Sequence, residues 1–87
     1  LEQEFILANK RGMHARAAAK IVRVANQFHA ELWLVKDGNR VNGKSILDVL
    51  TLASPRGSKI IVATNGRDAD ELMNAIAHLF QTKFGED

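Results

Sequence analysis

The chain has 87 residues, 46% hydrophobic and 25% charged, with a formal net charge of +2 and no cysteine. That length suits one small domain, residues 1–87, and the composition excludes both disorder and a membrane span. Disulfides and thiolate metal sites are excluded, as suits a reducing cytoplasm, Glu2 and Glu4 stand where an export signal needs a basic start, and the charge is too small to argue for nucleic acid.

In chain order, Glu4 to Ala8 alternates, with Phe5 and Leu7 against Glu4 and Ile6, and predicts a strand with one buried face. Asn9 to Gly12 reads as loop. From Ala17 to Phe28, Ala18, Ile21, Val22, Ala25 and Phe28 recur at helical spacing, with Lys20, Arg23, Asn26 and Gln27 opposite them. Ala30 to Lys36 alternates again, with Leu32 and Leu34 facing one way and Glu31, Trp33 and Val35 the other. Asp37-Gly38 then supplies a hairpin turn, and a return strand runs to about Asn42. Ser45 starts a brief helix with Asp48 as its capping-box partner, and Pro55-Arg56-Gly57 breaks the chain beyond it. Lys59 to Thr64 is a β-branched strand ended by Asn65-Gly66. The last helix is capped by Asp68 with Glu71 and buries Ala69, Leu72, Met73, Ile76 and Phe80. The order is βαββαβα, an α+β chain whose helices cover one face of a four-stranded antiparallel sheet.

Chemistry concentrates in Gly12-Met13-His14-Ala15-Arg16, directly before the alanine-rich helix. A helix start has unpaired N–H groups and partial positive charge, so an anion held there is stabilised. A neutral imidazole is nucleophilic near neutral pH and can pass a phosphoryl group onward through a labile P–N bond. Arg16, Lys20 and Arg23 recur at i, i+4 and i+7 and predict a basic ridge leading away from His14. Such a ridge reads either as a solvated helix face or as a landing strip for acidic partner proteins.

The Gly-Met-His-Ala-Arg segment and its small-residue helix resemble the active site of HPr, the histidine phosphocarrier of the bacterial phosphotransferase system. Gly43-Lys44-Ser45-Ile46-Leu47-Asp48-Val49-Leu50 is similar to the family's regulatory-serine segment, and the spacing of the two agrees. The ending from Leu79 to Asp87 is most like the nitrogen-branch paralogue, NPr. The resemblance implies the strand order 1-4-2-3 in an open-faced sandwich. It also implies a phosphoryl acceptor at His14 Nδ1, with Arg16 offsetting the charge, in a carrier that is no stand-alone catalyst. The implied partners are enzyme I, charged by phosphoenolpyruvate, and EIIA-type acceptor proteins, in sugar uptake or nitrogen-branch regulation. A kinase acting on Ser45 is implied for some bacteria, and Ile46, Leu47 and Leu50 would form an apolar docking patch ringed by Lys20 and Arg23. A cytoplasmic monomer is expected, with no cofactor, metal, nucleic acid or membrane partner. One departure stands out: Ala17 occupies the place where the family usually has proline, keeping an N–H and loosening the helix entry.

Other signals carry less. Gly38 to Ser45 satisfies the G-x-x-x-x-G-K-[ST] pattern, but within a hairpin and a short helix rather than between a buried parallel strand and a long helix. His29 and His78 read as surface histidines without metal-ligand spacing. Trp33, expected on the uncovered sheet face, is the one hint of base stacking, so a small basic RNA-binding module is the competing class. A regulatory binding module of the same family that no longer transfers phosphate is the other.

Overall fold

The computed structural model describes residues 1–52 and 54–86. Its elements are β1 (Glu2–Ile6), α1 (Ala15–Ala25), β2 (Glu31–Lys36), β3 (Asn39–Asn42), α2 (Ile46–Leu50), β4 (Lys59–Asn65) and α3 (Ala69–Gln81), followed by a 3-10 turn at Lys83–Gly85. The strands form one antiparallel sheet in the order β1-β4-β2-β3, as the resemblance implied.

Alternation decides which side of the sheet is covered. Leu32 and Leu34 of β2 and Ile60, Val62 and Thr64 of β4 are fully or almost fully buried, and Phe5 of β1 joins them. From the helices, Ala17, Ala18, Ile21 and Ala25 of α1, Val49 of α2, and Leu72, Met73, Ile76 and Phe80 of α3 complete one continuous core. Each fully buried leucine or isoleucine contributes about 1.5–3 kcal/mol, so the stripes dominate the helices' own propensities. The Asp37-Gly38 turn has positive φ at both residues, 51° and 81°, the twist that lets β2 pair directly with β3.

Several local expectations are corrected. The first strand lies two residues earlier than the alternation placed it, although Leu7 remains tied to the neighbouring segment through Leu7 N–H to the Ser58 carbonyl at 2.8 Å. Helix α1 starts earlier and stops at Ala25 because Asn26 folds its own amide onto the Val22 carbonyl at 2.9 Å. The capping box at α2 is half formed. Ser45 Oγ accepts the Asp48 N–H at 3.4 Å, but the Ser45 N–H goes to the Asn42 carbonyl at 3.2 Å.

Asp68 precedes α3 without a side-chain bond to it. Its carboxylate instead accepts the N–H groups of His29 at 2.9 Å and Ala30 at 2.7 Å, pinning the chain entering β2. The His29 N–H bond, ahead of the smaller contribution from Ala30, draws the Asp68 pKa below the ordinary aspartate value. That stabilisation is complete above the unfolded aspartate pKa and is lost as pH falls through the lowered folded value. Asp68→Asn is therefore expected to lower Tm at neutral pH and to flatten the acid limb of the Tm-against-pH curve. A variant that melts in parallel with the parent across that limb would refute the assignment.

Candidate functional site

The site is built where the loop after β1 enters α1. His14 has extended backbone (φ −97°, ψ 178°) and is the N-cap of α1, its Nδ1 accepting the Arg16 backbone N–H at 3.2 Å. An imidazole thus does what a serine or aspartate oxygen does at other helix starts. The first turn of α1 contains no acidic side chain, so its partial positive charge is not offset from within the helix.

The other ring nitrogen has a partner that the sequence did not reveal. His14 Nε2 lies 2.6 Å from Glu86 Oε2, with the two side chains only 17% and 12% exposed. The second carboxylate oxygen of Glu86 accepts from Asn9 Nδ2 at 3.0 Å, and the same amide donates to the Gly12 carbonyl at 2.8 Å. Burial is the largest single influence on Glu86 and works to raise its pKa. The hydrogen bonds from Asn9 and His14 and the charges of His14 and Lys20 together outweigh it, leaving the pKa below the ordinary glutamate value. Glu86 is consequently an ionised acceptor at neutral pH. An acceptor on Nε2 and a donor on Nδ1 select one neutral tautomer, with the proton on Nε2 and the lone pair on Nδ1.

Lys20 departs from the expected solvated ridge: it is half-buried, and its Nζ donates to the Phe84 carbonyl. Arg16 and Arg23 are exposed, as a ridge requires. Arg16 and Lys20 join Lys10, Arg11, Gly85 and Glu86 around a cavity of about 290 Å³ beside His14. Ala17 is fully buried and contributes its methyl group to the core.

The second candidate region lies at the other end of α1. Asn26 Nδ2 bonds the Lys44 carbonyl at 3.4 Å and Lys44 Nζ bonds the Phe28 carbonyl at 2.7 Å, fixing Ser45 beside the helix C-terminus. Eleven residues at about 1.5 Å each separate it from His14 by roughly 16 Å. Leu47 is 74% and Ile46 38% exposed, whereas Leu50 is half-buried against the core. His29 and His78 are exposed. Among the described residues, no three His, Cys, Asp or Glu side chains are grouped so as to hold a metal, and no helix is long and apolar enough to cross a membrane. Arg40 covers the Trp33 ring, 4.3 Å from its centroid, and takes the place a base would need. The phosphate-loop pattern runs through β3 and ends at Ser45, the N-cap of the five-residue α2, without the strand-to-long-helix junction that such a loop requires.

A sequence profile described as "PTS HPr component phosphorylation site" matches residues 1–82. The chain belongs to the HPr family. It is 43% identical to the phosphocarrier protein HPr of Neisseria meningitidis serogroup A over 86 residues, 99% of this chain and 97% of that one. It is 37% identical to the phosphocarrier protein NPr of Shewanella violacea, over 99% of this chain and 94% of its relative. The crystal structure of an HPr from Thermoanaerobacter tengcongensis superposes with a TM-score of 0.96 at 36% identity, covering 100% of this chain and 98% of that one. The fold thus places His14 at the head of α1.

Gly12 makes that placement possible. Its φ is +64°, and a Cβ there would lie 2.4 Å from the Ser54 carbonyl oxygen and 2.9 Å from the Pro55 backbone. The Met13 N–H bonds the same Ser54 carbonyl at 2.8 Å, so the loop carrying His14 is pressed against backbone that cannot yield cheaply. Gly12→Ala is expected to destabilise the fold by roughly 2–3 kcal/mol in denaturant melts. A stability within ~0.5 kcal/mol of the parent would show that this contact does not seat the loop.

Proposed function

We propose that this HPr-family phosphocarrier accepts a phosphoryl group on His14 Nδ1 from an enzyme I homologue charged by phosphoenolpyruvate. It then donates the group to a histidine of an EIIA-type protein, acting in the cytoplasm as a monomer without a cofactor. The observation that carries this reading is the lone pair on Nδ1, held at the uncompensated positive end of α1 by the Arg16 N–H. As the N–P bond forms, that N–H is freed from nitrogen and becomes a donor for a phosphoryl oxygen. The exposed Arg16 guanidinium adds charge at the same helix end, and positioning with electrostatics supplies most of the rate. Ala17 retains the N–H of the third helical position, a further donor of the kind that helix starts leave unpaired.

The docking face in this reading is Ile46 and Leu47, with Leu50 beneath them, flanked by Arg16 and Arg23, while Lys20, expected in the same rim, is turned to the Phe84 carbonyl. Exposed apolar side chains form its centre and cations its rim. Ser45 is the regulatory position: phosphorylation would add about two negative charges beside Leu47 and weaken a partner contact made there. The ending resembles NPr, although its last residue Asp87 lies outside the described residues, and relatives named HPr and NPr both match the chain, so the pathway in this reading is sugar uptake or nitrogen-branch regulation.

Phosphorus NMR after mixing with enzyme I and phosphoenolpyruvate is expected to show a phosphohistidine signal that His14→Ala abolishes. Arg16→Ala should slow its formation by about 10²-fold with an unchanged melting curve, because the side chain is exposed and the capping N–H belongs to the backbone. Unchanged transfer kinetics would remove Arg16 from the mechanism. A parent protein that forms no phosphohistidine would instead be a binding module that does not carry.

A further inference from the structure

Residues 82–86 form a strap that crosses back over the His14 loop. Lys83, Phe84 and Gly85 are consecutive left-handed residues, with φ of 53°, 57° and 72°. Two of them carry side chains, for which that region is costly, so something must hold the strap in place. Phe84 is 1% exposed and meets Phe80 edge-on at 5.1 Å, while Phe80 stacks on Phe5 at 4.8 Å. Lys20 Nζ donates to the Phe84 carbonyl, and the Glu86 N–H closes the turn on the Lys83 carbonyl at 3.0 Å. The strap ends with Glu86 gripped between the fully buried Asn9 and His14. Core burial, a lysine and an amide from three separate parts of the chain thus converge to place one carboxylate.

We infer that Glu86 is a positioning residue for phosphoryl transfer. Its carboxylate keeps the proton on His14 Nε2, fixes the lone pair on Nδ1 and matches the charge the ring acquires. The inference rests on the acceptor role proposed for His14. Its chemistry is balanced. The Nδ1 lone pair forms the N–P bond, and the donor's bond to phosphorus breaks with its electron pair leaving on the donor. The Nε2 proton stays, so a neutral imidazole becomes a cationic ring whose N–H faces an anion 2.6 Å away. On donation the N–P electron pair returns to Nδ1 and the ring departs neutral, an easier leaving group than an imidazole lacking the Nε2 proton. Glu86 does not block the nucleophile, because it occupies the far nitrogen. A carboxylate orienting a catalytic imidazole through its second nitrogen is a general device.

The test uses phosphoramidate, a small donor that phosphorylates imidazoles directly, so that no partner protein enters. Its amine nitrogen leaves with the electron pair of the broken P–N bond, takes up protons and departs as ammonia. Nitrogen-15 NMR of the His14 ring in alkaline solution reads the tautomer independently of any transfer. The parent protein is expected to show Nε2–H almost alone. Glu86→Gln, which keeps the side chain's size and its acceptor for Asn9, is expected to show mixed tautomers and phosphohistidine formation about tenfold slower by phosphorus NMR. Lys20→Met, which loosens the strap but leaves the carboxylate, should shift both readouts in the same direction by less. If the parent takes up phosphoryl and Glu86→Gln matches it in either tautomer or rate, the positioning role is overturned while the acceptor role stands. A parent protein that takes up no phosphoryl overturns the acceptor role and this inference together.

Discussion

The imidazole of His14 is held from both sides, by a backbone N–H on Nδ1 and a carboxylate on Nε2, and the site's other features follow from that grip. Each side of the grip depends on a different part of the fold. The N–H is available because α1 starts at Ala15 with its polar end uncovered, which follows from laying its alanine stripe against the sheet. The carboxylate is available because Phe84 is anchored in the core and turns the following residues back across the loop. Neither neighbour would suffice alone. A capping N–H fixes the direction of one lone pair but not the ring's proton, and a carboxylate without the cap would leave the ring free to swing away from the helix end.

The electrostatics around this ring divide into charges that are spent on structure and charges that face outward. Lys20 is committed to a carbonyl and Asp68 to two N–H groups, so formal charge at those positions says little about the surface. Arg16 and Arg23 remain exposed on α1, with Ile46 and Leu47 exposed on α2. In the proposed function this surface, apolar at its centre and cationic at its edge, would favour acidic protein partners through steering as much as through contact. The uncovered face of the sheet shows a different economy, since Arg40 lies flat on Trp33 and shields the one large aromatic there.

The departures from expectation share a cause. Asp68 reads as a helix cap because it precedes α3, and Ser45 with Asp48 reads as a reciprocal box because the spacing is right. In each case another backbone group, brought close by tertiary folding, competes for the same atom: the N–H groups of His29 and Ala30 for the Asp68 carboxylate, and the Asn42 carbonyl for the Ser45 N–H. Local pattern names which side chains can bond nearby backbone. It does not rank those bonds against ones that arrive from distant residues.

Much of the molecule was nonetheless legible from the chain alone. Alternation at Glu4–Ala8 and Ala30–Lys36, the hairpin turn and the β-branched run at Lys59–Thr64 located four strands to within two residues, and alternation separated Leu32 and Leu34 from Trp33 and Val35, because a strand's period of two leaves no freedom about which side is wet. Helical spacing identified the buried faces of α1 and α3, Asp37-Gly38 dictated the hairpin, and the Gly-Met-His-Ala-Arg segment pointed to His14. What only the tertiary structure decided was the company His14 keeps. Glu86 stands 72 residues away, in a terminal stretch with neither periodicity nor motif, and Asn9 reads as an ordinary loop residue. Their meeting depends on where Phe84 finds room in a core assembled from every other element, and local spacing does not encode that distance.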